Sequence, residues 1–284
     1  MRLGTLTAAL LLAGAATGEL PAQTLRNYSV SRQVGQVQPP LRASLEFGAG
    51  RVLLRAGTSG SLYDARLRYD ADRFTPIHQY DPRTGALRLG LESIGRAGIR
   101  VTNKGQLEQV ARFEFSPDVP LSLEASLGAS DAVLDLGGLT LASLTVRSGA
   151  SRGTIDFARP TRGDCRQATF VVGAAELLAM RLANAGCEQV RVEGGVGRAL
   201  LDLSGEWRSN VRIEASLAMG SLTLRVPRGT GVQVSAEKFL TRLSTEGLER
   251  DGDGWRTAGF EQAVRKVRLD IKANVAGIEI EWID

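Results

Sequence analysis

The sequence is poor in the side chains that most often carry chemistry. It holds one histidine, His78, in 284 residues, so any Ser-His-Asp or Cys-His site would have to be built on that single imidazole. Set between Ile77 and Gln79, His78 reads as a partly buried structural residue. Aromatic residues make up 5% of the chain, which argues against stacking platforms for single-stranded nucleic acid or sugars. Lysine is almost absent: only Lys104, Lys238, Lys266 and Lys272 stand among 35 basic residues. The arginines are interleaved with acids, leave a net charge of +4 and gather into no cluster, so nucleic acid is not an expected partner.

Metal and phosphate chemistry is equally thin. Asp251 and Asp253 in DGDG resemble part of a calcium loop, but the closing Glu is missing and a hairpin tip accounts for them. The GVG and GAG triplets lack the Lys and the following helix of a phosphate-cradling loop, and read as corner glycines. No catalytic, cofactor-binding or metal-ligating residue is expected, and no cofactor. Paired carboxylates stay open, because sequence spacing says little about which acids meet on a repetitive surface. An exported polysaccharide lyase or glycoside hydrolase is the alternative reading.

The start of the chain has the grammar of an export signal. Residues 1–22 hold one Arg, an apolar run from Leu6 to Ala16, and small residues at Ala16, Gly18 and Ala22. This predicts a signal peptide cleaved after Ala22 or Gly18, with no Cys nearby to take a lipid. No later apolar run is long enough to span a bilayer, so the mature chain is expected in the periplasm or at the cell surface, without an integral membrane segment. Residues 23–40 are polar, end in Pro39-Pro40, and read as a flexible lead-in. Residues 41–116 read as a hairpin-rich β module: LYDARLRY (62–69) and LRLGL (87–91) alternate apolar and polar, and DPRTG (81–85), GRAG (95–98) and NKG (103–105) are turn chemistry.

From 117 to 284 a single pattern recurs. Small-residue kinks fall at GAS (128–130), GAS (149–151), GAA (173–175), GVG (195–197) and AMG (218–220), in steps of 21, 24, 22 and 23. LDL (134–136), IDF (155–157), MRL (180–182), LDL (201–203) and LRV (224–226) follow them in turn. The same grammar appears at GAG (48–50) and near the end, at 275–277. Short strands with one apolar face at a fixed period predict an all-β solenoid with rungs of 21–24 residues. In register, Asp135, Asp156, Arg181, Asp202 and Arg225 would form an outward charge column. Cys165 and Cys187 lie 22 residues apart, one period, which puts them at bridging distance across rungs spaced about 4.8 Å. The pair is either a disulfide or two separate buried thiols.

The segments GAGRVLLRAG, LGASDAVLDLGGLTLASLTVRSGASRGTIDF and LAMGSLTLRVPRGTGVQV resemble the bacterial toast-rack domain family over roughly 41–284. That resemblance implies a right-handed single-stranded β-helix with its own N-terminal segment, related to adhesin-like β-helix domains and to the extracytoplasmic part of cell-wall-stress regulators. It carries no catalytic residues, and the membrane helices of the stress regulators are missing from this chain. The expected role is an exported, non-enzymatic interaction module whose partner is an envelope protein or polymer.

Overall fold

The computed structural model describes residues 24–94, 109–238 and 242–284. The signal segment 1–22 and the GRAG and NKG turns lie outside them. The chain opens with β1 (Leu25–Gln33), β2 (Leu41–Ala56), β3 (Ser61–Asp70), β4 (Phe74–Asp81), β5 (Ala86–Ser93) and β6 (Val110–Phe115). There follow β7 (Leu121–Asp135), β8 (Leu141–Ser148), β9 (Arg152–Asp156), β10 (Gln167–Val172), β11 (Glu176–Met180), β12 (Gln189–Asp202) and β13 (Val211–Pro227). It closes with β14 (Gly231–Lys238), β15 (Arg242–Leu243), β16 (Glu249–Asp251), β17 (Gly254–Arg256) and β18 (Lys266–Ile283). Helix among the described residues is confined to single 3₁₀ turns such as Leu182–Ala185 and Phe260–Gln262. The fold is all-β.

Two ladders of parallel strands run side by side. In the first, β5, β2, β7, β8, β10, β12, β13, β18 and β14 follow one another in space. In the second the order is β6, β2, β7, β9, β11, β12, β13, β18 and β15. The long strands bend through the corner and serve both ladders, whereas two rungs break there into β8 with β9 and β10 with β11. The strands β7, β8, β10, β12, β11 and β9 thereby close a six-stranded parallel ring, to which the others are added. Alternation supplies the interior: Leu144 and Val146 are buried while Arg147 is exposed, and Ile213, Ala215 and Leu217 share the inward face of β13. One continuous core runs from Leu41 to Ile280. Each fully buried Leu or Ile in it contributes about 1.5–3 kcal/mol.

The expected chain-order stacking describes only the middle, from β7 to β13. At both ends a strand is interleaved. β2 lies between β5–β6 and β7, and β18 lies between β13 and β14–β15. The expected boundary between 41–116 and 117–284 is therefore no seam, since β2 is paired with β7 from Leu41 to Leu54. The lead-in 23–40 is not a flexible segment throughout: β1 pairs antiparallel with β3 and packs Tyr28 and Val30 against the core. Its remaining side chains are largely exposed, as suits an edge strand, so the sequence shows little alternation there. β4 went unread because Pro76 interrupts it, and an edge strand tolerates that loss of a donor.

The corners explain the small residues and correct the charge column. Gly220 has φ +137°, and a Cβ there would collide with the Gly197 carbonyl oxygen of the rung below. The acids after the kinks are turn-formers more than a charge ladder. Asp135 accepts the Gly137 N–H at 3.0 Å and Asp202 accepts that of Ser204 at 2.8 Å. Asp202 is buried, not solvent-facing as expected. Arg181 is out of register: Met180, not Arg181, lies opposite Asp156. Arg181 is the one non-glycine residue at positive φ among the described residues (φ 54°), and it still reaches back to pair with Asp156. The extra residue shifts the inward positions to Leu177 and Ala179 and leaves Met180 half-buried. At the third corner Cys165 and Cys187 form a disulfide with Cα atoms 4.3 Å apart, so the bridge ties two consecutive rungs. Beside it Asn184 donates to the Phe157 carbonyl at 2.8 Å and accepts the Glu206 N–H at 2.7 Å, linking three successive turns.

Candidate interaction surface

The chemistry-bearing residues stay apart in the structure. His78 is exposed rather than partly buried, and its Nε2 lies 2.9 Å from the hydroxyl of the buried Tyr63. That pair belongs to the N-terminal cap, where the Tyr63 and Tyr80 rings meet edge to face and the Arg32 guanidinium covers Tyr80. Burial pushes the Tyr63 hydroxyl up from its ordinary value, against a smaller opposing pull from Arg32. Asp251 pairs with Arg256 across the β16–β17 hairpin, at 3.6 Å, while Asp253 is exposed at the tip. Among the described residues, no group of three His, Cys, Asp or Glu side chains is placed to hold a metal.

Most outward arginines on the ladders are neutralised by an acid on an adjacent strand. Arg55 meets Glu114 at 2.6 Å, Arg88 meets Glu46 at 2.6 Å, Arg191 meets Glu214 at 2.8 Å and Arg225 meets Glu281 at 2.7 Å. The bond from Arg88 holds the Glu46 carboxyl below the ordinary glutamate range. Glu214 likewise raises the Arg191 guanidinium. Such exposed pairs contribute about 0–1 kcal/mol each and fix register more than stability.

What stands out against this mosaic is apolar. The outward residues at the corner are Ala150, Ala174, Val196, Met219 and Val275 on five successive rungs. Hydrogen bonds from Ala174 N–H to the Gly149 carbonyl and from Val196 N–H to that of Gly173 stack the first three. Ladder register places Val196 beside Met219, and Met219 beside Val275. Val196, Met219 and Val275 are 54%, 53% and 47% exposed, too much to belong to the core. At the usual strand spacing of about 4.8 Å the stripe is roughly 19 Å long.

A groove flanks the stripe on each side. On the first ladder a depression of about 1020 Å³ crosses β10, β12, β13, β18 and β14. Small residues, Gly173, Gly194, Gly195 and Ala218, are part of its lining. Its charged lining is Arg191 and Lys272 against Glu193, Glu214, Glu237 and Asp270, an acidic balance. On the second ladder a groove of about 550 Å³ is edged by Arg152, Glu176 and Arg198. The sequence reading missed this surface, although its signal was present: the middle letters of the kinks grow from Ala through Val to Met along the chain.

The family model described as the N-terminal domain of toast_rack, DUF2154, matches residues 26–177. No curated protein matches the chain in sequence. Among solved structures the chain is similar to a "putative cell adhesion protein" from Clostridium sporogenes, at 17% identity and TM-score 0.47, covering 91% of this chain and 100% of that one. It is similar also to a "putative adhesin" from Bacteroides fragilis, at 14% identity and TM-score 0.43, covering 92% and 98%. Among the described residues, no helix is long and apolar enough to cross a membrane.

Proposed function

We propose, from the premise that this chain belongs to the toast_rack family, that it is a non-enzymatic interaction module of the cell envelope, exported to the periplasm or cell surface. We read its two ladders as the faces of a right-handed single-stranded β-helix with rungs of 21–24 residues. The observation that carries the functional reading is the stripe of Val196, Met219 and Val275, half-exposed in register on rigid rungs between two grooves. An apolar patch rimmed by polar side chains is the usual mark of a contact surface. The acidic lining of the larger groove favours an envelope protein or polymer that offers basic groups beside an apolar face. The disulfide fits an oxidising compartment.

The test compares the mature protein with its Val196→Glu, Met219→Glu variant. Both are passed over envelope extract and over peptidoglycan, pectin-like and chitin-like polymers, with and without Ca²⁺, while reducing ends and unsaturated products are followed. Retention of the parent on one of these, lost in the variant at unchanged melting temperature, supports the reading. Turnover that disappears on mutating one Asp or Glu overturns it in favour of a carbohydrate-active enzyme.

A further inference from the structure

The last strand of the chain is gripped from both sides. β18 pairs with β13 from Val211 opposite Val267 to Pro227 opposite Ile283, and with β14 from Gly231 opposite Lys266 to Lys238 opposite Ala273. With β18 lifted out, β13 on one flank and β14 and β15 on the other present unpaired parallel edges to a slot. The slot's floor receives Val267, Leu269, Ile271, Ala273, Ile278 and Ile280, all buried. Among the described strands, β15 has no ladder partner but β18, and β14 has only β18 and β17.

The slot also matches the outward side chains of this strand in this register. Asp270 faces Arg212 at 3.9 Å, Glu281 faces Arg225 at 2.7 Å, Lys272 faces Glu237 at 3.6 Å and Asp284 faces Arg228 at 3.2 Å. A one-residue slip would turn the apolar set outward and break these pairs together. The connection that feeds β18 into the slot is short, extended and in solvent: Ala263 sits at φ −65°, ψ 130°, Val264 is 94% exposed and Arg265 is exposed.

We infer that the slot accepts the β18 of a second copy of this chain, giving a strand-exchanged dimer. Every pairing and ion pair of the monomer is kept in that dimer and only the 263–265 hinge changes, so concentration sets the balance between the two. β18 carries Val275, so each copy would complete the apolar stripe of the other. The dimer holds two stripes on one particle and binds a repetitive partner with avidity.

The test uses full-length chains that differ by tag, one with Ser216→Cys and the other with Lys272→Cys. Both positions are exposed, and they lie opposite each other across β13 and β18. The native cysteines are both in the disulfide, so each copy offers one free thiol. The two are unfolded together in denaturant with the disulfide intact, refolded at high concentration, sized, and treated with a short thiol-to-thiol cross-linker. The inference predicts a dimer fraction in which the two tags become cross-linked. It also predicts loss of that product when Glu124→Cys, on the exposed face of β7, replaces Ser216→Cys. Recovery of monomer alone would overturn it, and so would equal cross-linking from both pairs.

Discussion

The middle of the molecule and its two ends obey different rules. From β7 to β13 each rung lies on the one before it in sequence, and neighbours share small kinks, inward aliphatics and ion pairs. At the ends the chain departs from that order: β2 is inserted beneath β7, and β18 beneath β14 and β15. A repeat stack with simple termini would end in a rung held on one side only, free to fray or to pair with another molecule. Interleaving places a long strand one layer inside each end and leaves the outermost layer to shorter antiparallel pieces: β1, β3 and β4 at one end, β16 and β17 at the other. All four tyrosines fall in the first 80 residues, at the N-terminal end.

The sharpest break of this comparison is a charge in the core. Leu201 is fully buried in the middle of the stack, so Leu201→Asp should lose more than about 4 kcal/mol and unfold the protein cooperatively. Val234→Asp, equally buried but in the outer layer on β14, should melt the β14–β17 layer and spare the rest. Global unfolding by both variants in a denaturant titration would show that the end layer is not separable. Next in size is the disulfide. Replacing Cys165 and Cys187 together by Ser should cost about 3 kcal/mol on the chain-entropy account of a loop of this length, seen as a lower denaturant midpoint.

Asp202→Ala comes third. It removes the acceptor for the Ser204 N–H at a buried turn and should cost about 1–2 kcal/mol, with Asp202→Asn recovering part of the loss because an amide oxygen can accept the same bond. Equal losses for the two variants would show that charge, not turn geometry, matters there. The smallest effect concerns Glu46, whose folded carboxyl titrates below its ordinary range because Arg88 hydrogen-bonds it. Its contribution is therefore present above the ordinary glutamate pKa and is lost as pH falls below that value toward the lowered one. Parent and Glu46→Gln should differ slightly at neutral pH and converge in acid. A difference that grows in acid would reverse the sign of this account.

The legible part of the fold was the part with a period. The kinks, the inward Leu and Ile positions and the one-rung separation of Cys165 and Cys187 follow from strand spacing and alternation, which act between nearest neighbours. The slip at Arg181 escaped because one extra residue in a left-handed conformation leaves the spacing of the apolar letters almost unchanged. The interleaving of β2 and β18 escaped because both carry the same grammar as every other rung, and a repeat does not encode which copies are neighbours. The interaction stripe was half visible. Outward Val and Met at a corner look like core letters until the register shows which way they point.

Hydrogen exchange resolved along the chain tests the interleaved architecture most directly. β18 sits near the C-terminus in sequence but between β13 and β14 in space, so its amides should exchange as slowly as those of β13 and far more slowly than those of β1 and β16. Amides of Val267 to Ile280 exchanging as fast as the edge strands would contradict the account, because a terminal rung held on one side only would behave in that way.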